Sequence, residues 1–194
     1  MGNARAYPVY RDETGRIEAV IAVAELLVGC GDLPADATVN LDAGLSRVDD
    51  VRCAARLFPR ALFPRALFWG GDSYLRGPEL PQDDAVLASL LPLTVSMEAP
   101  VASDLLTRAA EVLSRATWGQ LAWMALSWPA VPELGLEPEH ARTGVQACFN
   151  INANHEPATA HTVYAHVHPQ AGERAQHLAR QIGHHITGPS EHGW

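Results

Sequence analysis

Residues 145–168 read VQACFNINANHEPATAHTVYAHVH, and their periodicity decides the fold class. Val145, Ala147, Phe149, Ile151 and Ala153 alternate with Gln146, Cys148, Asn150, Asn152 and Asn154. After the polar turn HEPATA, Val163, Ala165 and Val167 alternate with Thr162, Tyr164, His166 and His168. A period of two sends successive side chains to opposite faces of a strand. Two such runs joined by a short loop predict an antiparallel hairpin with one apolar and one polar face. The apolar face needs a cover. Ala171, Ala175, Leu178, Ile182 and Ile186 form one stripe of a helix expected from about Gln170 to Ile186, placed to lie on that face.

Working outward, the same two periods recur. Val39 and Leu41 alternate with Thr38, Asn40 and Asp42, and Leu93, Val95 and Met97 with Thr94, Ser96 and Glu98, which predicts two more strands. A helix is expected over about 47–58, from the capping spacing Ser46-x-x-Asp49 and the apolar set Val48, Val51, Ala55 and Phe58. Pro59 should stop it. A second helix is expected from a Ser103 cap to about Thr117, with Gly119 as its C-terminal stop. The run 120–128, QLAWMALSW, is apolar throughout and reads as a central strand, followed by the proline-rich connection 129–141.

Two segments allow competing readings. Ile17, Val20, Ile21, Ala24 and Val28 fit one face of a helix ending at Gly29, while the β-branched content of Ile17–Val23 favours a strand paired in a hairpin with YPVYRD. We take the strand as the expectation. The near-repeat RLFPRALFPRALF has a period of five, which fits neither helix nor strand. It reads as a tolerant loop whose Leu and Phe cover the core, with an anion site from Arg60 and Arg65 as the functional alternative. The whole is expected to be an α+β protein with a mostly antiparallel sheet and helices packed on one face. No composition shift marks a boundary, so residues 1–194 read as one domain with a loose tail from about residue 187.

Composition excludes several functions. The net charge is −8, every basic residue is arginine, and no basic run exists to neutralise phosphates, so nucleic acid is not an expected partner. The most apolar stretch, Ile17 to Gly29, contains Glu18 and Glu25 and is too short to span a bilayer. Three scattered cysteines without a CxxC, and an N-terminus without an apolar signal core, point to a reducing cytoplasm. P-loop, GxSxG and HExxH motifs are all missing.

Chemistry therefore rests on the polar face of the hairpin. It offers amides, a thiol, a phenol and imidazoles, and not one permanent charge. A face turned to water is usually charged, whereas uncharged donors and acceptors suit a covered one, where a lone charge would be costly. His166 and His168 are the candidate proton carriers, because imidazole titrates near neutrality. Tyr164 could donate to a developing oxyanion. Asn150, Asn152, Cys148 and Glu98 complete the candidate substrate-binding set, with Glu98 or Asp42 able to orient a histidine if their strands join the same sheet. The expected function is a small metal-independent enzyme, with no cofactor, acting by histidine acid–base chemistry on an uncharged or weakly anionic organic molecule. Isomerase, cyclase, lyase or acyl-transfer chemistry would fit. One alternative is a non-catalytic subunit or homodimer that uses the polar face for a partner. Another is a metal protein built on His166-x-His168, with Cys148 opposite His168 as third ligand.

Overall fold

Alternation and helical spacing become a set of antiparallel ladders covered by short helices. The computed structural model describes residues 4–101 and 103–193, without the side chain of Ser103. Along the chain these are β1 (Arg5–Asp12), α1 (Ile17–Val28), β2 (Thr38–Leu45), α2 (Val48–Leu57), β3 (Leu67–Gly70), β4 (Ser73–Leu75) and α3 (Asp84–Ala88). There follow β5 (Leu93–Pro100), α4 (Ser103–Leu113), β6 (Trp118–Trp123), β7 (Gly144–Phe149), β8 (His161–Val167), α5 (Gly172–Gln181) and β9 (Glu191–His192). The protein is α+β, with antiparallel strand pairing. Its contacts divide it into an inner unit, Thr38–Gln120, and an outer unit made from the two ends of the chain, up to Ala37 and from Leu121 on.

In the inner unit β2 pairs with β5 over its whole length, from Thr38 opposite Pro100 to Leu45 opposite Leu93. The other edge of β5 takes β3, and β3 takes β4. Val39, Leu41 and Ala43 are buried as their alternation requires. Helices α2 and α4 pack on each other, α2 also on β5 and α4 on β2. The Ser46–Asp49 capping signal is not used: β2 runs on to Leu45, the N-cap is Arg47, and no side chain caps it. The capping role expected of Ser103 lies outside the described side chains. Helix α4 ends at Leu113, and Gly119 is not its stop. Gly119 lies in β6, where a Cβ would meet the Leu113 side chain and come within 3.0 Å of the Asp42 carbonyl oxygen. The glycine is needed for close packing. The five-residue repeat, 56–68, starts in the last turn of α2 and ends in β3; between them runs a loop, 58–66, whose Phe58 and Phe63 are buried, with rings edge-to-face at 5.1 Å, while Leu62 is exposed. Strand β6 stops at Trp123, short of the expected Trp128, because Ala125 turns into the left-handed region at φ 74°.

The outer unit has the strand order β7-β8-β1-β9. Residues 17–28 are a helix and not the expected strand. Its buried face, with Val20, Ile21, Ala24, Leu27 and Val28, packs on β7, β8 and β1. That burial outweighs the β-propensity of Val and Ile, which is worth well under 1 kcal/mol per residue. Asp12 anchors the entry to α1. Its buried carboxylate accepts the Thr14 N–H (3.1 Å) and the Arg16 N–H (2.9 Å), and takes the Arg16 guanidinium at 3.2 Å. These bonds, the Arg16 N–H first, hold its pKa down to about 2. Asp12→Ala is expected to cost about 1–2 kcal/mol at neutral pH. The folded pKa lies below the unfolded value, so the deficit should be full above pH ~4 and close as pH falls toward ~2. Urea unfolding across that range is the check.

Helix α5 ends at Gln181, earlier than the expected Ile186. Gly183 takes φ 77°, its N–H reaches Arg180 O (3.0 Å), and His184 N–H reaches Ala179 O (2.8 Å). This is a Schellman closure. The segment expected as a loose tail makes a few bonds to β1 and the residue before it. Thr187 N–H donates to Pro8 O, β9 pairs with Arg5 and Ala6 of β1, and Gly193 N–H donates to Ala4 O.

Candidate functional site

Every residue of β7 and β8 is buried, so both faces of the hairpin are covered. The ladder sets Gly144 opposite His166, Gln146 opposite Tyr164 and Cys148 opposite Thr162. Partners across a ladder share a face. Ala6 is the ladder partner of both His166 and Glu191. Gln146, Cys148, Tyr164, His166 and Glu191 therefore stand on one side of this sheet.

Two hydrogen-bonded groups occupy that side. In the first, His166 Nε2 meets Gln146 Oε1 at 2.9 Å, and the Trp128 indole N–H holds the His166 carbonyl at 2.8 Å. With the amide oxygen facing the ring, Nε2 carries the proton. His166 is 1% exposed, and burial lowers its pKa to about 3. The imidazole is neutral at physiological pH. Gly193 packs over it, since a Cβ there would lie 2.8 Å from His166 Nδ1.

In the second group the Tyr164 hydroxyl donates to Glu191 Oε1 at 2.8 Å, and the Ala153 N–H donates to Glu191 Oε2 at 3.0 Å. Burial, followed by the Glu191 carboxylate, pushes the Tyr164 phenol far up, so it remains a proton-bearing donor. Burial and then the Glu191 charge also raise the Cys148 thiol, which leaves it unreactive as a nucleophile at neutral pH.

Of the residues expected to form the site, these strands assemble Cys148, Tyr164 and His166. The others fall elsewhere. His168 lies beyond the end of β8, exposed, with its ring Nδ1 accepting from Gln170 N–H at 3.4 Å and its own N–H donating to Glu139. The two histidines are thus split between interior and surface. Cys148 faces Thr162 and not His168, so the ligand set drawn for a metal is not assembled. Among the described residues no group of three or more His, Cys, Asp or Glu is arranged to hold a metal ion. The alternation of Asn150 and Asn152 does not continue the strand, because Asn150 adopts φ 59° and β7 ends at Phe149. Asn152 instead builds the loop: its Oδ1 accepts from Asn154 N–H and Glu156 N–H, both at 2.9 Å. Glu98 belongs to the inner unit. There it takes Arg65 at 2.5 Å and Thr38 at 3.1 Å, and Arg65 first, then Thr38, lowers its pKa. Arg65 is committed to that pair and does not form the anion site considered with Arg60.

Sequence reasoning missed Glu191, which sits in a polar tail with no periodic signal, and the Ala153 N–H, which no sequence pattern marks. It also missed Arg174, a charged residue on a helix whose apolar stripe alone was counted. Arg174 is 2% exposed; its guanidinium donates to the carbonyls of Pro129 and Glu137, and its Nε lies 3.1 Å from Glu139 Oε2.

No protein-family model, no curated protein and no solved structure matches the chain. What fold and geometry define is an α+β protein with a buried, largely neutral hydrogen-bonding floor. Among the described residues no helix is long and apolar enough to cross a membrane.

Proposed function

We propose that this chain is a small-molecule enzyme whose substrate lies on the Gln146–Cys148–Tyr164–His166 floor. One observation carries the reading: Tyr164 Oη–H and Ala153 N–H converge on a single anionic group, at 2.8 and 3.0 Å, beside the buried His166–Gln146 pair. Preorganised donors in a water-poor setting stabilise negative charge, and here each donor meets its own oxygen of one carboxylate group. Tyr164 is the donor that holds an oxygen of the substrate on which negative charge lies. His166, neutral across the physiological range, positions substrate through hydrogen bonds and is not a standing proton carrier. An uncharged or weakly anionic substrate fits a floor without a cationic side chain. Isomerisation, cyclisation, elimination and acyl transfer are the reaction classes in which such negative charge gathers on an oxygen. The free thiols of Cys30, Cys53 and Cys148 favour a reducing compartment, and the proposal places the protein in the cytoplasm.

The test is a ligand-observed NMR screen against small uncharged and monoanionic carbonyl compounds. Tyr164→Phe is expected to weaken any hit about 10–100-fold, the usual worth of a hydrogen bond to a charged or polarised group. If no compound binds, or if the Phe variant binds equally well with its circular dichroism unchanged, the proposal fails.

A further inference from the structure

Glu191 is not part of the hairpin whose donors it occupies. It arrives from the far end of the chain, 27 residues beyond Tyr164 and 38 beyond Ala153. Both of its oxygens are used, one by each donor, which is how a free carboxylate would be received. Neither donor needs the tail for its position. Tyr164 is in the middle of β8, between β7 and β1. Ala153 is in the loop that closes on itself through Asn152 Oδ1, the Ala158 N–H to Asn150 O bond and the His155 N–H to Asn152 O bond, both 3.0 Å. The tail is held more lightly. Its strand is two residues long, with isolated bonds at Thr187 and Gly193 and a Gly188–Pro189 step between them. Such short, partly exposed pairings open far below the free energy of global unfolding.

We infer that the Tyr164–Ala153 cradle is a binding site for a small organic carboxylate, and that Glu191 is an internal occupant that such a ligand displaces together with residues 187–193. This rests on the proposal above that the floor is a substrate site, and it adds the substrate's chemical class. The carboxylate would take the two donors, and the body of the ligand would lie on Cys148 and the His166–Gln146 pair. The tethered Glu191 competes at an effective concentration in the millimolar range. A ligand without further contacts therefore loses to it, which makes the tail a selectivity filter against simple anions.

The experiment uses acetate on the full chain, with chloride at equal ionic strength as control. Glu191→Ala should bind acetate saturably, seen as shifts of the Ala153 amide and Tyr164 ring resonances, while the unaltered protein gives no saturable shift over the same range. A folded Glu191→Ala protein that ignores acetate overturns the inference. Glu191→Gln keeps an acceptor in place and guards against loss of folding. In it acetate should speed hydrogen exchange of the Gly193 and Thr187 amides at least tenfold while Ala153 stays protected, and unchanged exchange also overturns the inference. Acetate uptake without any hit in the carbonyl screen would sink the enzyme proposal alone. Carbonyl hits sensitive to Tyr164→Phe without acetate uptake would sink the carboxylate assignment alone.

Discussion

Arg174→Ala is expected to lower the unfolding free energy by about 3–5 kcal/mol, the usual cost of removing one member of a buried ion pair. Arg174 is the one charged side chain among the largest fully buried residues, and it lies on α5, next to the core residue Ala175. Its guanidinium ties the proline-rich connection to the helix by bonding the carbonyls of Pro129 and Glu137 and facing the Glu139 carboxylate. Truncation strands all three acceptors. Burial already raises the pKa of Glu139, with the bond from His168 N–H and the charge of Arg174 opposing it. Removing Arg174 should therefore raise it further. For a chain of this length the loss corresponds to a fall of roughly 10 °C in Tm. Arg174→Met, which keeps the stem's volume, should be nearly as damaging, and Glu139→Gln added to it should recover part of the loss by removing the stranded charge. If Arg174→Met unfolds at the urea midpoint of the unaltered protein, the guanidinium is not the stabilising group.

Mild acid should destabilise the protein through His166. The buried ring titrates near 3 in the folded chain, against about 6.5 when exposed. Between those values the unfolded chain binds a proton that the folded chain does not, so stability is complete above pH ~6.5 and falls as pH drops. The loss is about 2 kcal/mol by pH 5, at 1.36 kcal/mol per unit. His161 adds to the same slope: burial lowers its pKa, and only the facing Asp12 carboxylate opposes this. His166→Gln retains a neutral hydrogen-bonding group and should remove the larger part of the slope between pH 6.5 and 5. An unaltered slope in that variant would show that the ring is accessible to protons in the folded state. Asp12 does not confuse the measurement, because its own contribution changes only below pH ~4.

The ladders were the legible part of this chain. Strands β2, β5, β7 and β8 were readable because each alternates cleanly, and α2 and α4 because their apolar residues recur at helical spacing. The α+β class follows from those elements alone. The segment 17–28 was misread because Val and Ile satisfy both periods locally, and only the surface offered by β7, β8 and β1 selects the helix. Helix α5 was carried past its true end because Gly183 interrupts a pattern that Ile186 continues on spacing alone.

The polar composition of the hairpin was visible in sequence, and so was the argument that a face without charge should be covered. Its membership was not. Counting by twos ran past Phe149 and past Val167, where the backbone turns, and so admitted Asn150, Asn152 and His168. What covers the face, and what meets Tyr164 there, depends on a residue 27 positions away in a segment without periodicity. Local pattern fixes which side of a strand a residue takes, because that depends on neighbours one and two positions along the chain. Tertiary structure alone decided that Arg174 is buried and that Glu191 occupies the Tyr164–Ala153 cradle, because both placements depend on hydrogen-bond partners supplied by distant segments.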